Sequence, residues 1–158
     1  MFALSSITIP DSVTTIEDNA FNNCQRLTSV TIGNGISSIG NNVFYSCSNI
    51  NTVTIPEYVL NKKLGIVFIN STKALQNVLY SNTITEISDF AFSNCTNLVS
   101  VSIPNTVTSI KTGAFETCRS LSSINIPNSI SSIGSGVFDA CYSLTSIALP
   151  TSLTGIND

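Results

Sequence analysis

The chain is predicted to fold as an α/β-type solenoid, β-dominated, with a parallel sheet and short helical or 3-10 turns. Three observations predict it: an apolar pattern that returns about every 23 residues, an aliphatic and hydroxyl alternation that opens each return, and prolines placed one residue past that alternation. Aligning Leu4, Leu27, Ile50, Leu75, Leu98, Leu121 and Leu144 gives steps of 23, 23, 25, 23, 23 and 23 residues. The single domain, residues 1–158, therefore consists of seven units starting at about 4, 27, 50, 75, 98, 121 and 144, the last incomplete and the one at 50–74 irregular. The apolar set Leu4, Ile7, Ile9, Val13, Ile16, Ala20, Phe21 and Cys24 recurs in the fifth unit as Leu98, Val101, Ile103, Val107, Ile110, Ala114, Phe115 and Cys118.

Each part of the unit follows from its spacing. Ile7 and Ile9, separated and flanked by Ser6 and Thr8, have the two-residue period of a half-buried strand. Pro10, Pro56, Pro104, Pro127 and Pro150 follow the second strand aliphatic, where a missing N–H ends pairing and a fixed φ turns the chain. A second apolar pair such as Val13 and Ile16 comes next, then Ala20-Phe21 with Cys24 three further on, a spacing that suits one helical or 3-10 turn. No single coil of this kind can bury its own apolar side, so coils must stack, with strands at roughly 4.8 Å spacing. Phe21, Phe44, Phe92, Phe115 and Phe138 then form a column in the core, and seven parallel strands form one face. Both terminal strands are expected to expose backbone and apolar surface, which invites pairing with another chain, such as a homodimer through the open ends of the solenoid.

Composition sets the limits on function. A content of 42% hydrophobic and 9% charged residues supplies a continuous core and excludes disorder. The formal charge of −3, with no basic run beyond Lys62 and Lys63, leaves no electrostatic footprint for nucleic acid or a polybasic membrane anchor. No run of about 18 apolar residues suggests a spanning helix, and residues 1–10 alternate like a strand and do not read as a secretory signal.

The unit Leu-x-x-Ile-x-Ile-Pro-x-x-Val-x-x-Ile-x-x-x-Ala-Phe-x-x-Cys, read from residues 4 to 24 and 98 to 118, resembles the BspA-like leucine-rich repeats, also called the Treponema pallidum type. The resemblance covers nearly the whole chain and implies a leucine-rich-repeat solenoid in a right-handed arc, used for protein recognition and cell adhesion, often on microbial or protist surfaces. The abundance of Asn, Ser and Thr resembles the compositional drift of such arrays in parasitic protists. Residues 57–74 depart from the pattern.

Candidate sites follow from this frame. Outward strand positions run Ser6 and Thr8, Ser29 and Thr31, Thr52 and Thr54, Asn77 and Leu79, Ser100 and Ser102, Ser123 and Asn125, Ser146 and Ala148. Such a neutral stripe is either the ordinary outer side of a sheet, since Thr and Ser suit strands, or a hydrogen-bonding face for a protein partner. Thr8, Thr31, Thr54, Asn77, Ser100, Ser102 and Asn125 are its candidate contacts. In the irregular unit, Tyr58, Lys62 and Lys63 are candidates because insertions in solenoids project as loops, although a decayed repeat holding its core through Val67 and Phe68 reads equally well. Lys62-Lys63 before Ile66-Val67-Phe68 is faintly similar to docking motifs for a protein phosphatase, with the spacing wrong.

The five cysteines, Cys24, Cys47, Cys95, Cys118 and Cys141, share one offset and are expected to be a packed ladder. They lack a His or Cys-x-x-Cys partner that would point to metal or redox chemistry. Free thiols and the missing leader favour a cytoplasmic setting, whereas the resemblance allows the cell surface. No cofactor, catalytic or metal site is expected: there is no His, no Walker loop and no zinc-spaced Cys pair, and Glu17-Asp18 reads as a solvated corner. The chain is thus expected to be a protein-interaction module, with a self-associating scaffold as the alternative.

Overall fold

A computed structural model describes residues 4–61, 67, 75–81 and 84–156. The chain winds as a β-solenoid with parallel ladders and very little helix. The first strands of successive coils are β1 (Ser6–Ile9), β3 (Ser29–Ile32), β5 (Thr52–Ile55), β6 (Asn77–Tyr80), β8 (Ser100–Ser102) and β10 (Ser123–Asn125). They pair in the register the period demands: Ile7 beside Val30, Val30 beside Val53, Val53 beside Val78, and Ile124 beside Val101. The inward aliphatics are buried, or half-buried at Ile7 and Ile124, and the residues between them are more exposed, as an alternating strand on one core requires.

A second parallel ladder, absent from the sequence reading, uses two-residue strands: β2 (Thr15–Ile16) with β4 (Ser38–Ile39), and β7 (Glu86–Ile87), β9 (Ser109–Ile110), β11 (Ser132–Ile133) and β12 (Gly155–Ile156). Hydroxyl side chains reinforce it. Thr108, Ser131 and Thr154 each donate both N–H, at 2.9, 2.9 and 3.0 Å, and side-chain Oγ–H, at 3.4, 3.2 and 3.0 Å, to the carbonyl of the matching residue one coil earlier.

The segment carrying Phe and Cys is a run of single turns of the expected 3-10 type, Cys95 N donating to Phe92 O at 3.0 Å and Cys118 N to Phe115 O at 3.1 Å, and none continues into a helix, because a left-handed residue interrupts the run twice per coil. Asn19, Asn42, Phe90, Gly113 and Gly136 occupy the first such position, with φ between 55° and 60°, and Asn23, Ser46, Asn94, Thr117 and Ala140 the second, with φ between 54° and 65°. Right-handed helix cannot propagate through such residues. The freed N–H groups point along the stack instead: Phe21 donates to Val43 O at 2.9 Å, Phe92 to Ala114 O at 2.8 Å and Phe115 to Val137 O at 3.0 Å. This third ladder brings the rings together, with Phe21 on Phe44 at 5.2 Å, Phe92 on Phe115 at 5.0 Å and Phe115 on Phe138 at 5.9 Å between centroids, all near parallel.

Two elements differ from expectation. Residues 144–149 of the seventh unit form no strand, so the first face has six paired strands among the described residues. In the third unit, Glu57–Asn61 is a short helix, α1, where a loop was expected. Pro56, with its fixed φ, and Glu57, whose charge suits a helix start, favour it. Val67 takes the position held by Val43, Ala114 and Val137 in other coils, is fully buried, and accepts the Phe44 N–H at 3.0 Å. That supports the decayed-repeat reading, and it removes Val67 as an exposed docking residue for a phosphatase.

Candidate functional site

The outward residues of the first strands form two columns. Ser6, Ser29, Thr52 and Asn77 are in register in one, Thr8, Thr31, Thr54 and Leu79 in the other, and Ser100 with Ser123 and Ser102 with Asn125 extend the pattern beyond them. Parallel strands impose this, because equal offsets are neighbours about 4.8 Å apart. Thr8, Asn77, Ser100, Ser102 and Asn125 are exposed, and Thr31 and Thr54 are half-buried. None of the outward residues in these strands carries a charge. Within the columns, Asn77 Nδ2 donates to Thr52 Oγ1 at 3.5 Å, and Thr52 Oγ1 to Asn51 Oδ1 at 3.0 Å. Leu79, 53% exposed, is the large apolar residue of the face.

The structure does not bring Tyr58 to this face. It lies on α1, beyond the end of β5, half-buried against the core. Lys62 and Lys63 lie outside the described residues. A feature missed in the sequence sits in the position following the Cys of each unit: Arg119 lies over the Tyr142 ring at 6.0 Å, and Tyr142 is 76% exposed. Arg and Tyr are the residue types that dominate interface energies, but no periodic signal marks them, since the same position holds Gln25, Ser48 and Thr96 elsewhere.

The thiols have a structural task. Cys47, Cys118 and Cys141 donate to the carbonyls of Phe21, Phe92 and Phe115 of the coil before, at 3.1, 3.2 and 3.1 Å. Burial pushes the Cys95 thiol up to about 12 and raises that of Cys118 as well, the neighbouring Cys95 and Cys141 adding to it. A protonated thiol is a hydrogen-bond donor and a poor nucleophile. None of the five cysteines is in a disulfide.

The acidic corner also differs from its sequence reading. Asp18 Oδ1 accepts the Asn41 N–H at 2.8 Å, and Asp11 and Asp89 do the same for Asn34 at 2.7 Å and Thr112 at 3.0 Å, so these carboxylates bridge coils. Among the described residues no group of three or more His, Cys, Asp or Glu could hold a metal ion, and no helix is long and apolar enough to cross a membrane. The outer side of the first coil is a hollow of about 410 Å³ lined by Ile7, Ile9, Val13, Ile16 and Phe21.

Known structures share this architecture. A leucine-rich repeat protein from Eubacterium ventriosum superposes with a TM-score of 0.73 at 24% identity, over 97% of this chain and 41% of that one. A leucine rich cell surface protein from Faecalibacterium prausnitzii matches with a TM-score of 0.59 at 33% identity, over 91% of this chain and 38% of its own. The T. pallidum leucine rich repeat protein gives 0.55 at 21% identity, over 90% and 79%. The chain thus spans about two fifths of the Eubacterium protein. No curated protein matches it. The model of the BspA type leucine rich repeat region matches residues 1–66 and 62–158 in six copies, and with the 23-residue register and the Phe and Cys columns this makes the chain a member of the BspA-type leucine-rich-repeat family, whose fold is typically non-enzymatic.

Proposed function

We propose that the chain is a protein-interaction module that uses its first strand face for recognition or adhesion. The observation that carries this reading is the uncharged double column of mostly hydroxyl and amide side chains, in register over β1, β3, β5 and β6 and again over β8 and β10. A flat sheet of fixed donors and acceptors meets a partner with little loss of side-chain entropy, because Ser and Thr are short. Leu79 supplies an apolar contact amid the polar columns, and Arg119 with Tyr142 is an exposed anchor pair. Family membership supports an interaction or surface-repeat role without naming the partner.

Capture from the native cell tests it. Thr31→Glu with Thr54→Glu abolishes capture of a specific partner, whereas Asn105→Glu, an exposed turn position, retains it. Equal retention by both variants would remove the strand face from the proposal. The hollow on the first coil favours a second reading, self-association through an open end. Light scattering decides it: a mass that doubles with concentration supports the scaffold, and a constant monomer mass sinks it.

A further inference from the structure

The cysteine ladder is not uniform. Cys95 and Cys118 are sealed in the core and Cys141 nearly so, whereas Cys24 is half-buried between two exposed residues, Asn23 and Gln25. The side chain of Cys24 also hydrogen-bonds that of Cys47, the cysteine of the next coil. Contacts on both sides hold this pair in register. Asn23 N donates to Tyr45 O at 2.8 Å, the Phe21 ring stacks on Phe44 at 5.2 Å, and Cys47 Sγ donates to Phe21 O at 3.1 Å. Backbone rungs of this kind set equal offsets of adjacent coils about 4.8 Å apart, inside the range of roughly 4.4–6.8 Å between Cα atoms that a disulfide spans.

We propose that Cys24 and Cys47 are a redox pair that closes into an inter-coil disulfide with a small-molecule disulfide as oxidant and reopens with a thiol as reductant. The proposal stands whatever the strand face binds. Cys24, within reach of solvent, acts first: as a thiolate it bonds one sulfur of R–S–S–R and expels R–S⁻, which takes up the proton Cys24 has lost. Cys47 then gives up its own proton and attacks the Cys24 sulfur. The Cys24–Cys47 bond forms, the bond from Cys24 to R–S breaks, and the second R–S⁻ leaves with that proton. Two protein thiols are oxidised and one disulfide is reduced to two thiols.

Side chains at equal offsets point the same way, so their Cβ atoms start near the coil spacing of about 4.8 Å, and a disulfide draws them to about 3.8 Å. The two coils must give locally, and Cys47 loses its hydrogen bond to Phe21 O. A bond formed against such strain is readily reduced, which makes the pair a switch and not a permanent staple. Cys95 and Cys118 have no such route, because their side chains are fully buried and burial keeps them protonated.

Oxidised glutathione added to the folded full chain tests this. After an acid quench and unfolding, alkylation is expected to label three of the five cysteines, and a peptide map to show Cys24 joined to Cys47. Dithiothreitol added before the quench restores all five labels. Cys24→Ser keeps its four thiols under the same treatment. Five labels in the treated parent chain would overturn the proposal, as would glutathione held on Cys24 with Cys47 still reduced, or a cross-link between any other pair. If Cys24→Ser fails to fold, the parent's peptide map decides alone.

Discussion

The third coil and the fifth share a plan and differ in how they carry it out. In the fifth, Phe115 stacks on rings on both sides, Thr108 donates twice to the coil before it, and Cys118 satisfies the carbonyl of Phe92. In the third, α1 replaces the second strand, yet Val59, Leu60 and Val67 are all fully buried. The comparison teaches that a coil can lose its second strand and keep its place in the stack through apolar burial and the rungs of its first strand. Hydrogen-bonded rungs decide how strongly it is coupled to its neighbours.

The largest effect that sharpens this contrast is in the ring column. Phe115→Ala is expected to cost about 3–5 kcal/mol, from lost transfer energy and a cavity between two rings. Val67→Ala is expected to cost roughly 2 kcal/mol, since fewer methyl groups leave. Urea midpoints of both variants check the ratio, and equal losses would mean that the third coil is as tightly packed as the fifth.

The next effect tests close coil contact in a regular unit. A Cβ on Gly35 would lie 1.7 Å from the Asp11 carbonyl oxygen, backbone that cannot move aside. Gly35→Ala is expected to lower stability by about 2–3 kcal/mol, seen as a lower thermal midpoint, because the first two coils must separate.

The thiol ladder gives a pH test. A group with a raised folded pKa contributes stability that is complete below its unfolded pKa and is lost as pH rises towards the folded value. With the ordinary thiol value at 9.0 and Cys95 at about 12, this contribution is flat below pH 9 and falls between pH 9 and 12. Each thiol of this kind contributes a slope of about 1.4 kcal/mol per pH unit within that window. Denaturant midpoints at pH 8 and 10 check it, and a Cys95→Ala chain with an unchanged slope would deny Cys95 its part.

The smallest effect concerns the left-handed positions. Thr117, with φ 61°, is a β-branched residue where Gly or Asn would sit without strain. Thr117→Asn is expected to stabilise by about 1 kcal/mol, whereas Asn23→Thr at the equivalent position of the first coil destabilises by a similar amount. Melting curves of the two variants should move in opposite directions.

Most of the architecture was legible because it is written in apolar side chains. Ile7 and Ile9, the five prolines and the Phe and Cys columns recur at fixed offsets, and only stacking makes those offsets neighbours. The second ladder was hidden because Thr15–Ile16 offers a single aliphatic and no alternation to detect. The left-handed residues of the turns were hidden because Phe90, Thr117 and Ala140 stand where composition would call for Gly or Asn. The α1 helix carried a local signal in Pro56-Glu57, outweighed by the expectation that the repeat would continue. At the candidate face the two columns were legible from alternation. Arg119 with Tyr142 was not, since a pair that occurs once has no period.

The turn ladder has a consequence for how such a protein can change over generations. Phe21, Phe92 and Phe115 bind the next coil through backbone groups, so a duplicated stretch of 23 residues arrives with its own rungs and slots between existing coils. Whole-unit copying lengthens the array without inventing any contact, while gains or losses of other lengths leave a scar. The third unit, with its 25-residue step, is what such a scar looks like once the chain has healed around it.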